Sequence, residues 1–356
     1  MILLEGQINC LRISKQWHKA IPHQAFTAFL NKYKFDLKLL NESRVEELFT
    51  LAQQNRDSKD ILNGYVLFSI DPSDFIKYKH KKMQAVRASG DGKSKYLAHS
   101  FILSSFICGN TTIPFKKTLY WGKKTKKKRP SKEKLFLKLV RKANRFYPNG
   151  NKILVTDGEG AKAIILREFT NNKSWLGAVM KFPRTRNIII GEEKIHIRKY
   201  LSNLKEDDFS LIKVDGKDHY IHHFQAQIPS LAFLGICQFV VIQDEKGNLS
   251  QKSLRVLFTN IAQLSAEQIL CIYSRRWKQE TYHQIIKDRL GVRAYKHRRL
   301  IAIIRLLELA DLAYSFLEFH RLKQKNLSYS ISDIRNAFIS NAESAFANKF
   351  NLPRAA

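Results

Sequence analysis

The sequence predicts an α/β fold: a mixed sheet with helices on its faces, a β-rich insertion late in the sheet, and helical additions at both ends. Three observations predict it. Two apolar runs of strand length each end in an aspartate, at Asp71 and Asp157. Around them strand, hairpin and helix signals follow the order β, β-hairpin, α, β, α, β, which suits a mixed sheet. From Phe182 to Asn260 the rhythm changes to short strands with turn signals, including Gly191-Glu192-Glu193, Asp215-Gly216 and Glu245-Lys246-Gly247-Asn248.

The elements can be justified in order. Residues 1–60 read as a mostly helical region, in which Ser43-Arg44-Val45-Glu46 fits a capping box opening a helix to Ala52. After a polar break, Tyr65 to Ile70 is an apolar strand that delivers Asp71 to its tip, with Pro72 blocking continuation. Ala98 to Ile107 and Thr112 to Trp121 form a hairpin around Cys108-Gly109-Asn110. The densest cationic run follows, Lys123 to Arg129, and reads either as a solvated loop or as a phosphate-backbone contact. Ser131 then caps a helix to about Tyr147, Lys152 to Thr156 is the second strand ending in aspartate, and a helix from about Gly160 and a strand from Trp175 complete the unit. Ser265-Ala266-Glu267-Gln268 is a second capping box, opening one long helix that stops near Gly291. Residues 301–356 read as helical again.

The composition narrows the partner. Among 356 residues, 62 Lys+Arg against 31 Asp+Glu give a formal net charge of +31 in a chain 44% hydrophobic. A folded chain with that excess is built to meet a polyanion, and nucleic acid leads. An anionic membrane is the rival, but the longest apolar runs, such as Leu231 to Ile242, are too short to span a bilayer. With no basic-then-apolar leader at Met1, the chain reads as soluble and intracellular. Four scattered cysteines without a C-x-x-C pair argue against a zinc ribbon or a disulfide framework.

The chemistry concentrates on the long helix. Offsets of three, seven and fourteen from Tyr273 reach Arg276, Glu280 and Lys287, and at about 100° per residue all four fall within a sector of roughly 60°. A carboxylate framed by two cations and a phenol is poorly suited to a core. It suits a metal ligand beside groups that grip phosphates. Together with two strand-borne aspartates it supplies three hard oxygen donors, suited to Mg²⁺ or Mn²⁺ and to a pair of such ions.

On these residues the chain resembles the DDE transposases of bacterial insertion sequences, in particular the insertion sequence four type with the Y-(2)-R-(3)-E-(6)-K signature, which Tyr273, Arg276, Glu280 and Lys287 fill. The resemblance covers roughly Ile61 to Arg299 and implies an RNase H-like catalytic core over residues 61–181 and 261–300 with a β-rich insertion over 182–260; outside it, the helical region at 1–60 is a candidate for binding the DNA end, and 301–356 is a helical C-terminal region. It implies Asp71, Asp157 and Glu280 as the catalytic metal-binding triad, and Tyr273, Arg276 and Lys287 on phosphates near the cleaved end, with Trp277 packing against a displaced base. Cleavage at terminal inverted repeats, strand transfer into target DNA, a hairpin on the transposon end, a homodimeric synaptic complex and a bacterial cytoplasmic, nucleoid-associated setting are likewise implied.

Bland readings compete at each position. Asp157 before Gly158, and Asp71 before Pro72, are also turn formers, with Asp74 the alternative ligand on the first strand. Glu159 is an outside candidate. Glu280 and Arg276 could form a plain i,i+4 ion pair on an amphipathic stripe. His219, His222 and His223 invite a metal, but adjacent residues on a strand face opposite ways. Trp175 and Trp277 can be core or base-stacking surfaces. The function read from this is a metal-dependent DNA transposase; the alternatives are a nuclease that cuts without joining and a catalytically silent DNA-binding protein.

Overall fold

The computed structural model describes residues 22–350 apart from 34–35, 78–82, 91–94, 122–129, 159–161, 171, 244–246, 251–252 and 326–328. The cationic run at 123–129 and Glu159 therefore lie outside the described residues. Two helices come first, α1 (His23–Asn31) and α2 (Leu37–Gln54). Asp36, not Ser43, opens α2: its carboxylate accepts from the N–H groups of Lys38 and Leu39 at 2.8 and 2.9 Å. That aspartate satisfies the orphan donors first, so the capping box read at Ser43 falls inside a helix already under way.

The sheet begins with β1 (Val66–Ile76), β2 (Arg87–Gly90), β3 (Lys95–Cys108) and β4 (Thr111–Tyr120). Next come α3 (Lys132–Phe146), capped by Ser131, then β5 (Lys152–Thr156), α4 (Ala163–Thr170) and β6 (Trp175–Lys181). β1 pairs antiparallel with β3 and parallel with β5, and β5 pairs parallel with β6. The expectation that Pro72 stops β1 is corrected, because pairing with β3 runs on to Ile76. Beyond Ser69 β5 no longer pairs with β1, leaving a one-sided stretch where a residue without an N–H is tolerated.

Strand alternation decides what faces what. Phe68 and Leu154 join the cluster under α2, α3 and α4, with Phe49, Phe136 and Leu166. Leu67, Ile153 and Val155 belong to the opposite cluster, under the helix carrying Ile269 and Ile272. Two-residue periodicity puts Asp71 on the same face as Leu67, and Asp157 follows Ile153 and Val155 toward that face.

The inserted region forms β7 (Asn187–Ile190), β8 (Glu193–His196), the short helix α5 (Ile197–Ser202), β9 (Ser210–Val214), β10 (Lys217–Gln227), β11 (Ile236–Gln243) and β12 (Leu254–Thr259). It is not a sheet apart: β12 pairs antiparallel with β6, and twelve strands join in one mostly antiparallel sheet. Gly177 makes the junction, since at φ +156° any Cβ there would lie 2.5 Å from Ile261 and 2.6 Å from Asn260. Asn260 in turn accepts from the Ala178 N–H at 2.9 Å, fixing the exit from β12 toward the next helix.

That helix is not one continuous α-helix as the spacing predicts. It comprises α6 (Ala266–Arg275), capped by the Ser265–Gln268 box, then α7 (Trp277–Gln284), then a π turn over Ile285–Arg289. Arg276 keeps helical dihedrals at the break, and Gly291 follows the π turn in the left-handed region at φ +64°. α8 (Leu300–Lys323) and α9 (Ile331–Phe350) complete the described chain; α8 packs its Ile303, Leu307 and Leu317 in one cluster with Phe75, Tyr282 and Ile286. Among the described residues no helix is long and apolar enough to cross a membrane.

Candidate active site

Register brings the two aspartates together. β1 and β5 pair from Val66↔Lys152 to Ser69↔Val155, and the same offset carried two residues past the paired stretch matches Asp71 with Asp157 at the two strand tips. The Thr156 hydroxyl donates to the Ile70 carbonyl at 3.0 Å and holds the strand tips in that relation just before both carboxylates. Asp74 is committed elsewhere: it accepts from Ser89 at 2.5 Å, from Tyr96 at 3.3 Å and from Ser100. Of the two candidates on β1, only Asp71 sits beside Asp157.

The helix face meets them. Arg276 Nη1 lies 2.6 Å from Glu280 Oε1, and its guanidinium carbon stands 5.4 Å from the Tyr273 ring centroid. The plain i,i+4 ion pair is thus present. Burial pulls the Arg276 pKa down, but Tyr273, Glu280 and Asp71 outweigh it and raise it above its ordinary value, so Asp71 shares the field of the cation that holds Glu280. Burial pushes the Tyr273 phenol up; Arg276 opposes that and Asp157 adds to it. Burial, then Arg293, pulls Lys287 down while Asp74, Asp288 and Asp71 oppose, and its Nζ lies 5.2 Å from the ring of Phe75. Arg276 and Lys287 thus act electrostatically on Asp71, and Tyr273 on Asp157, across the break at Arg276 and the π turn.

One site residue escaped the sequence reading. His283 is buried, with Nδ1 3.8 Å from Asp71 Oδ2, too long for a hydrogen bond. Burial, then Lys287 and Arg276, drives its pKa down to about 3, so the ring is neutral. The Gln279 amide stands 2.9 Å from His283 Nε2; donating to it, the amide leaves the ring proton on Nδ1, turned toward Asp71. The signal was available in the sequence: His283 stands three residues after Glu280 on the same helix face.

The remaining candidates separate cleanly. Trp277 is 60% exposed beside Arg276, whereas Trp175 is buried against Phe68 and Phe169. His222 bonds to the Tyr200 hydroxyl at 2.8 Å, and His223 to Gln238 at 2.9 Å, so both are engaged in the sheet. Among the described residues no three His, Cys, Asp or Glu side chains gather closely enough to hold a metal ion. Of the three carboxylates Asp71, Asp157 and Glu280, Glu280 is paired with Arg276. The donor set itself, three carboxylates, fits a hard divalent cation.

No protein-family profile matches the chain, and no curated protein matches it. The likeness that is found is one of fold. Among solved structures the chain is similar to a piggyBac transposase, seen by cryo-electron microscopy in a synaptic complex with hairpin DNA; the TM-score is 0.52 at 10% identity, over 99% of this chain and 70% of that one.

Proposed function

We propose that the chain is a DDE transposase with an RNase H-like core, cleaving DNA at the ends of an insertion sequence and joining them to target DNA. The observation that carries this is the placement of Asp71 beside Asp157 beneath the helix bearing Tyr273, Arg276, Glu280 and Lys287. The fold shared with a transposase supports it, and the helix signature favours the insertion sequence four type.

In this reading Asp71, Asp157 and Glu280 hold Mg²⁺ or Mn²⁺, with Glu280 exchanging its Arg276 partner for the cation. When bound, a pair of such ions activates a water or a 3′-hydroxyl and stabilises the leaving oxygen. The chain's own groups do the positioning. Arg276, released from Glu280, and Lys287 grip phosphates beside the carboxylates, and the Tyr273 phenol donates to a phosphate oxygen. His283, neutral and with its N–H toward Asp71, steadies that carboxylate. Trp277 offers an exposed ring to a base displaced near the cut. Two ends joined in step call for two copies of the chain, a homodimer in a synaptic complex.

The closed Arg276–Glu280 pair favours a second reading, a DNA-binding protein without chemistry. Both are tested on a labelled duplex bearing the parent element's ends, comparing wild type with Asp157→Ala and Glu280→Ala in Mg²⁺, Mn²⁺ and EDTA. Metal-dependent joined products, lost in both variants while DNA binding persists, are expected. Cleavage without joining would make the chain a nuclease, and binding without products a silent binder.

A further inference from the structure

A cleft of about 560 Å³ opens one residue beyond Asp157, with Gly158 in its wall. Lys132, Lys162, Lys181, Arg184 and Arg186 line it against the single carboxylate of Glu133. Its walls come from the start of α3, the approach to α4 and the end of β6, while Phe136, Ile165 and Phe182 make its floor. Lys162 and Lys181 are exposed, and burial pulls the Arg186 pKa below its ordinary value. Five cations against one carboxylate give the cleft the chemistry of a polyanion site.

The position of the cleft is informative. α3 and α4 pack on one face of the sheet, whereas Arg276 and Lys287 reach the aspartates from the helix on the other. The cleft's cations therefore stand next to the strand end that carries Asp157, while Arg276 and Lys287 act on Asp71 from the other face. Lys138, Lys142 and Arg145 form a separate basic strip on the side of α3 turned away from the cleft, where Lys138 and Arg145 add to the burial that lowers the Lys142 pKa. Cutting one DNA needs one phosphate track at the carboxylates; joining brings a second DNA to the same centre.

We infer that this cleft of five cations beside Asp157 is the backbone track for the second DNA, the target into which a cut end is joined. The inference rests on the transposase reading and deepens it.

The test uses the full chain assembled on pre-cut element ends, with an unrelated labelled duplex as target. Lys162→Ala combined with Lys181→Ala is expected to keep end cleavage within about twofold of wild type and to lower joining at least tenfold. It should also reduce the slope of log K against log salt for the unrelated duplex by about 2, at roughly 0.9 per phosphate contact, leaving the slope for the end duplex unchanged. The Lys162→Arg, Lys181→Arg pair is expected to restore joining, which separates charge from folding. Unchanged joining and slope, or cleavage and joining falling together, overturns the inference. If wild type itself yields neither product, the transposase reading fails, and the salt slopes alone judge the cleft: a fall for the unrelated duplex sustains a DNA track there, and no fall removes it.

Discussion

Arg275 and Arg276 are neighbours in the chain, yet they serve opposite faces of the same helix. Arg275 closes on Asp60 through two hydrogen bonds of 2.7 and 2.5 Å, tying α6 to the loop before β1. Farther along that face Lys278 donates to the Asn110 carbonyl, and Tyr282 donates at 2.5 Å to Asp311, which also holds Lys117. Every one of these charges has a permanent partner. On the Arg276 face the single Glu280 pair is closed, Arg276 Nε and Gln279 Oε1 are buried without a partner, and His283 stops short of Asp71. A fold that satisfies its buried polar groups so completely on one face leaves bonding capacity on the other for something that arrives later.

The comparison is broken or sharpened by substitution. The largest effect is expected at the carboxylates: Asp157→Ala or Glu280→Ala should lower joined product by roughly a thousandfold or more while the thermal midpoint barely moves, since removing charge-stabilising groups costs that order in rate. An equal loss of folding would place them with the structural face. Next in size, Asp311→Ala leaves Tyr282 buried without its acceptor and Lys117 held by Glu308 and the Leu307 carbonyl alone, and should cost about 3 kcal/mol in urea unfolding with no specific effect on chemistry. Arg275→Ala should cost about 2–3 kcal/mol by losing a charge-assisted bidentate pair, whereas Arg276→Ala should cost under about 1 kcal/mol yet weaken binding to element ends. If the two arginines destabilise equally, the division of faces is wrong.

A pH dependence at the foot of the site is a separate test. Lys77 donates to the carbonyls of Arg293 and Tyr295 at 2.6 and 3.1 Å, and burial, then Arg293, draws its pKa from 10.5 down to about 7. Between those two values the unfolded chain binds the proton and the folded one does not, so stability rises with pH across the window; below pH 7 both are protonated and the cost is constant. Lys77→Met should flatten that rise in denaturant midpoints measured from pH 7 to 9. A rise that survives the substitution would assign it to another group.

Much of this was readable from residues. The hairpin at Cys108-Gly109-Asn110, the strand entering Asp157, the Ser131 and Ser265 caps and the cation-flanked Glu280 are local signals, set by turn chemistry and periodicity within a few residues. What escaped depends on partners distant in sequence. β1 passes Pro72 because β3 supports it from the other side, which no reading of residues 65–72 alone contains. The inserted strands extend the central sheet because Gly177 admits Asn260, a contact across the sheet. His283 was visible in its spacing but not in its meaning, since its neutrality comes from burial beneath Lys287 and Arg276.

The π turn gives the helix a consequence of counting. Its marker is the Leu290 N–H bonding to the Ile285 carbonyl at 2.8 Å, five residues back instead of four. One extra residue is thus wound into the chain between Glu280 and Gly291. Removing it would restore α spacing and rotate all that follows by about 100°, carrying the Arg293 and Tyr295 carbonyls away from Lys77. The phase of that single turn keeps the end of the helix in step with the strand bearing Asp71, so a one-residue deletion there would uncouple them without altering any charged group.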